Sequence, residues 1–207
     1  MKIYLLDWNQ DTCSAWESYF NDKATIVCDE FRRFMNTNGG KIDGVVSPAN
    51  CFGIMDGGYD AAITKYYGPS LMWRVQERLL QDYMGIQPIA SCLSVQIEGA
   101  LNEEGNQVYL LHTPVMTAPE KVREPRLIFH AMRNTLLEAK RLNLKEIVIP
   151  AWGGACGSVD PDIIAYYMWQ AYENVYNPSK IIDWMEMDKW QRILNKKEVL
   201  LDVSYQG

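Results

Sequence analysis

Apolar residues fall into two kinds of run along this chain, short unbroken ones and longer ones spaced at three and four, and the two kinds mostly alternate. The short runs predict strands buried on both faces. They are Ile3-Tyr4-Leu5-Leu6 ending at Asp7, residues 24–28 followed by Asp29 and Glu30, a third around Val45-Val46, and residues 146–150 with Ile147, Val148 and Ile149 at the centre. Residues 90–97 and 108–111 read as two more strands, joined by a hairpin loop over 102–106. Helical spacing runs over 11–20 and 60–67, and again from Ser70, where Met72, Val75, Leu79 and Tyr83 form a stripe. Pro125 opens a longer helix carrying Ile128, Ala131, Met132, Thr135, Leu136, Ala139 and Leu142 on its apolar positions. Asp160-Pro161 is an N-cap and first-turn pair, followed by Ile164, Tyr167, Met168, Ala171, Tyr172 and Val175 on one face. Residues 36–40 read as a turn by composition.

Alternating strands and helices predict a three-layer α/β/α fold with a mixed, largely parallel sheet. The tail differs: residues 177–207 are charged and carry Trp184, Trp190 and Tyr205, which predicts a helix and an edge strand. The expected organisation is one domain over 1–176 with a C-terminal extension, 177–207, packed on it.

Composition narrows the partners. With 48% hydrophobic and 12% aromatic residues the chain is an ordinary globular one, not a disordered one. The formal net charge is -6 and there is no dense Lys/Arg cluster, which argues against duplex nucleic acid. No apolar run has the length of a membrane span, so no membrane partner is expected. Five cysteines without a CxxC spacing read as reduced thiols in a cytoplasmic protein. His112 and His130 are isolated from each other and read as structural or surface residues, so no metal site and no cofactor are expected.

Two loops carry the chemistry, and both follow predicted strands. The first runs SPANCFGIMDGGYDAAI from Ser47; the second is PAWGGACGS from Pro150. In open α/β sheets ligands bind beyond the carboxyl ends of the strands. Small residues let main chain approach a ligand, and a following helix adds N–H groups and a positive dipole end. Two such loops side by side would cradle a diphosphate without lysines. Neither GxxxxGK[ST], GxSxG nor HExxH occurs, and no GxGxxG follows the first strand.

These residues carry a resemblance. VVSPANCFGIMDGGYDAAI resembles the macro domain signature, a strand followed by an Asn-Ala-Ala-Asn-like segment and then Gly-Gly-Val-Asp-Gly-Ala-Ile; VIPAWGGACGSVDP resembles the family's second, phosphate-gripping loop; TIVCDEF resembles the strand whose following aspartate reads adenine. Order and spacing agree over roughly residues 1–175, and LLDWNQDTCSAWESYF is similar to a subgroup found in bacteria and phages. The resemblance implies a site for ADP-ribose, free or on an ADP-ribosylated macromolecule. Asp29, helped by the Glu30 backbone, would accept from the adenine amino group. Gly57 and Gly58 would close on the diphosphate and distal ribose, and Gly153, Gly154, Ala155, Cys156 and Gly157 would offer N–H groups to the phosphates. Asn50 would hydrogen-bond the distal ribose, and Asp60 matches the aspartate with which hydrolytic members position or activate water.

Each role has a plain alternative. Asn50 can tie its own loop, Asp29 can cap a helix or turn, Asp60 can be an N-cap, and Cys51 and Cys156 read as small packing residues. The sequence departs from the pattern at Ser47-Pro48 (in place of Asn-Ala), at Asp56 and Ala155 (in place of glycine) and at Trp152 (in place of a smaller residue). These changes bear on hydrolysis more than on binding. Three functional readings follow: an ADP-ribose binder, a hydrolase acting at the distal ribose, and a scaffold of the same fold used for protein contacts through the tail tryptophans.

Overall fold

The computed structural model describes residues 1–195. Its six strands are β1 (Lys2–Asp7), β2 (Thr25–Cys28), β3 (Gly44–Ser47), β4 (Leu93–Leu101), β5 (Gln107–His112) and β6 (Glu146–Ile149). They form one sheet in the order β2-β1-β6-β3-β5-β4, in which every neighbouring pair is parallel except the β4–β5 hairpin. The hairpin loop is closed by Asn102, whose Oδ1 accepts from Glu104 N at 3.1 Å and Asn106 N at 2.8 Å.

Strand alternation sends side chains to two cores, which is why the central strands read as unbroken apolar runs. Ile3, Leu5, Val46, Leu111, Ile147 and Ile149 face one helical layer. It is made of α1 (Gln10–Phe20), α5 (Arg126–Arg141), α6 (Pro161–Tyr176) and α7 (Trp184–Asn195). Tyr4, Leu6, Val45, Leu110 and Val148 face the other layer, built from α2 (Phe31–Asn38), α3 (Gly58–Tyr67) and α4 (Ser70–Tyr83). The expected three-layer α/β/α arrangement is therefore the observed one.

Several boundaries follow from local chemistry. Asn9 caps α1 through Oδ1, which accepts from Asp11 N at 2.8 Å and Thr12 N at 3.3 Å. Asp160 caps α6 on Asp162 N at 2.9 Å, with Pro161 at the first helical position. The turn expected over 36–40 is instead the end of α2 and a 3-10 turn, Gly39–Lys41. α4 starts at Ser70, with Pro69 at the N-cap and no side-chain cap, and its buried residues are Leu71, Val75 and Leu79.

The helix expected in the tail is α7. Its Trp190 ring lies 5.6 Å from that of Phe129 on α5, and Tyr166 Oη and Tyr167 Oη donate to Ile193 O and Leu194 O at 2.9 and 2.6 Å. Trp184 stays exposed, whereas Trp190 is half-buried against its own chain. The expected edge strand and Tyr205 lie outside the described residues. No helix among the described residues is long and apolar enough to cross a membrane.

Candidate functional site

β3 and β6 are parallel neighbours, in register at Gly44–Ile147 and Val45–Val148, so the two glycine loops leave the same end of the sheet side by side. Asp7 and Cys28 close β1 and β2 at that end too, which puts Asp29 on the same rim. Sequence-distant residues singled out for one site are thus brought to one end of the fold.

The first loop is held from several directions. Cys51 N donates to Met116 O and Thr117 O, both at 3.2 Å, Gln87 N donates to Cys51 O at 2.9 Å, and Thr64 Oγ1 donates to Met55 O at 2.8 Å. Asn50 binds its own loop: Nδ2 donates to Ile54 O at 2.9 Å, and Oδ1 accepts from Phe52 N at 3.1 Å and Ile54 N at 3.3 Å. Gly57 and Gly58 are exposed, with open space where a Cβ would stand, and the positive φ of Gly58 favours glycine. Asp56 points its charge to solvent.

Asp60 sits in the first turn of α3 with no side chain capping that helix. Ser47 Oγ donates to Asp60 Oδ1 at 2.6 Å, and both residues are buried. Ser47 therefore does not simply delete a polar contact from the family segment; it gives its hydroxyl to the acid. Burial pushes the Asp60 carboxyl up to about 7, against the opposing pull of the Ser47 hydrogen bond. A carboxyl poised there can hold or release a proton at neutral pH. Tyr59, beside it, buries its hydroxyl with no partner.

Asp29, at the far end of the rim, is half-buried. Its Oδ1 accepts from Glu30 N at 2.8 Å and pairs with Arg33 Nη1 at 3.1 Å. Asp7 accepts from Asn9 N at 2.9 Å, and burial raises its carboxyl despite backbone donors that include Ala151 in the second loop.

In the second loop Trp152 turns inward. It is fully buried and its Nε1 donates to Thr113 O at 2.8 Å, so the large residue fills the core and leaves the rim clear. Gly153 O accepts from Val159 N at 3.0 Å, and a Cβ on Gly157 would stand 2.6 Å from that same oxygen, so this turn closes main chain on main chain. Gly154, Ala155 and Cys156 are exposed. Cys156 is thus not a packing residue, although its Sγ lies 3.6 Å from Met116 Sδ; Cys51 is buried, as expected. Asp160 already occupies the N-terminus of α6, so any anion here would meet the loop's own N–H groups rather than the helix end.

Sequence reasoning missed a third segment. Val122 N donates to Gly157 O at 3.0 Å, which carries the exposed Lys121 and Arg123 to the second loop. Their signal was two cations in a loop between β5 and α5. Also at this end, His112 closes β5 in register with Ser47. Gln87 Nε2 donates to Ser91 O and His112 O, so its Oε1 receives the His112 Nδ1 proton at 2.6 Å. Burial pushes this imidazole down to about 4, and it is a neutral structural anchor at pH 7.

A separate cavity of about 330 Å³ opens at the opposite end of the sheet. Lys2, Lys41 and Lys145 face Glu103, Glu104 and Glu146 around it. Gly40 also lines it, but the charges balance and none of the lining acids is buried, so the loop end is the better candidate site. Among the described residues no cluster of His, Cys, Asp or Glu side chains could hold a metal ion.

Comparison with known proteins agrees with this architecture. Among solved structures, the chain is similar to the Oceanobacillus iheyensis macrodomain with ADP, at 19% identity and a TM-score of 0.53 over 64% of this chain and 68% of that one. It is similar to the macrodomain of Mycobacterium tuberculosis DarG, at 18% identity and 0.54 over 65% of this chain and 84% of that one. It is also similar to the Trypanosoma brucei macrodomain in complex with ADP, at 18% identity and 0.52 over 68% and 54%. At such identities the likeness speaks for the fold. The macro domain family model matches residues 46–168, which run from the last residues of β3 through both glycine loops into α6, more than half of the 207 residues. On that match and this fold, the chain belongs to the macro domain family.

Proposed function

We propose that the protein binds ADP-ribose, free or attached to a macromolecule, across the end of the sheet where the two glycine loops meet. The observation that carries this reading is the parallel β3–β6 pairing, which sets an uncapped α3 and the open Gly57-Gly58 main chain beside the exposed Gly154, Ala155 and Cys156. Two solved macrodomains similar to this chain hold ADP, which supports the ligand class. In this reading Asp29 and the Glu30 backbone take the adenine, the second loop, including Gly153 and Gly157, takes the phosphates, and Asn50 stands by the distal ribose. Only one amide hydrogen of Asn50 is committed to Ile54 O, so its second is available to a sugar hydroxyl. Calorimetric titration with ADP-ribose should give a saturable heat and a raised thermal midpoint; neither signal at millimolar ligand would end the reading.

A second reading, hydrolysis at the distal ribose, is favoured by one observation, the buried Ser47–Asp60 pair with its carboxyl near neutrality. Asp60 in its ionised form would take a proton from water as that water attacks the anomeric carbon, and the bond to the modified group would break with its electron pair leaving on that group.

A further inference from the structure

Three buried polar atoms among the described residues lack a partner: Tyr59 Oη, His112 Nε2 and Tyr176 Oη. Tyr176 ends α6, away from the loops, under Lys140 Nζ at 4.5 Å and stacked on Tyr172. His112 Nε2 is a lone pair once Nδ1 holds the proton. Tyr59 Oη is a donor, and it stands at the loop end of the sheet.

The position of that ring decides what the hydroxyl can do. Tyr59 follows Gly58 in the first turn of α3, the helix after β3. Its ring lies 5.2 Å from Phe31, edge to face, and Phe31 opens α2, the helix after β2. Between β2 and β3 in the sheet lie only β1 and β6. The ring therefore spans the strip between α3 and α2, packed against the core of their layer, and its hydroxyl lies near Asp60 and near Asp7 at the end of β1. A molecule holding its base at Asp29 and its distal sugar at Asp60 would run its diphosphate along the same strip.

Packing does not account for the oxygen. The contact with Phe31 is made by the ring, and phenylalanine would keep it without burying an unpaired donor, which destabilises a fold. The macro domain signature this stretch resembles has valine at this place, where this chain has the phenol. Burial, with Asp60, Asp7 and Tyr67 nearby, raises the hydroxyl well above 10, so it remains a donor across the working pH range.

We infer that Tyr59 Oη–H is a ligand-contacting donor, reserved for an oxygen of the diphosphate or of the sugar next to it. The inference rests on the ADP-ribose reading above and adds a specificity-determining residue to it. It adds a fixed O–H donor to the loop N–H groups and to Lys121 and Arg123 beside the second loop, neither glycine loop having a lysine of its own.

Tyr59→Phe removes one oxygen and nothing else. Calorimetry with ADP-ribose should show affinity falling by about tenfold to a hundredfold, the effect of one hydrogen bond to a charged acceptor, while the thermal midpoint without ligand stays or rises. Wild type and variant binding within twofold of each other would overturn the proposal and leave the binding reading standing. A midpoint several degrees lower in the variant would also overturn it, since the hydroxyl would then be serving the fold. A wild type that gives no heat at millimolar ADP-ribose overturns the binding reading itself, and the proposal with it.

Discussion

At the scale of the residue, the Ser47–Asp60 pair is where the two proposed readings, binding and hydrolysis, can be told apart. Asp60→Asn keeps an oxygen for the Ser47 hydroxyl at the same place and removes only the capacity to exchange a proton. ADP-ribose binding should therefore stay within a few-fold of wild type. Release of ADP-ribose from a modified protein, if Asp60 is the base, should fall by about a hundredfold or more. Assaying both on one preparation checks this, and equal turnover would remove Asp60 from any catalytic role. The resemblance to the macro domain signature made Asp60 a candidate. It could not supply the partner 13 positions away, and Ser47 read only as a departure from the family's Asn-Ala because a hydroxyl says nothing of its acceptor until the chain is folded. The unpaired hydroxyl of Tyr59 was hidden for the same reason, because finding it requires every neighbour in space. Trp152 read only as a departure from a smaller residue, whereas main chain turns it into the core and onto Thr113 O.

At the scale of the element, the β3–β6 register is what sets the two glycine loops side by side, and Asp43 pins it. This buried carboxylate, just before β3, accepts from Lys145 N at 3.0 and 2.8 Å and from Glu146 N at 3.0 Å at the start of β6. Asp43→Ala would strand those backbone donors and should cost about 2–4 kcal/mol. Asp43→Asn, which keeps an acceptor, should cost roughly half as much by the same reasoning. Urea unfolding with an unchanged m-value would read both. Strands and long helices were legible because their apolar periods are complete, as in 146–150 and 125–142. α2 was not, since FRRFMNTN buries only Phe31, Phe34 and Met35 and ends in turn-like residues. Asp43 was silent because its partners lie more than 100 positions away.

At the scale of the whole molecule, two buried groups set opposite responses to pH. Asp60, raised in the fold from 3.8 to about 7, contributes stability that is complete below pH 4 and lost as pH climbs toward 7. His112, lowered from 6.5 to about 4, contributes stability that is complete above 6.5 and lost as pH falls toward 4. Raised Asp7 adds to the first trend, and His130, lowered chiefly by burial, adds to the second. Wild-type stability should therefore change little between pH 4 and 7. Asp60→Asn should uncover a rise with pH over this window and His112→Gln a fall, each by up to about 1.4 kcal/mol per pH unit. Urea midpoints across the range would test the cancellation. The last helix carries a different lesson. Because Tyr166 and Tyr167 fasten its final carbonyls while Trp190 roofs Phe129, α7 works as a buckle on the layer formed by α5 and α6. Anyone grafting this module into a fusion would have to carry the buckle along, since a cut after α6 would lay bare an aromatic seam that invites self-association.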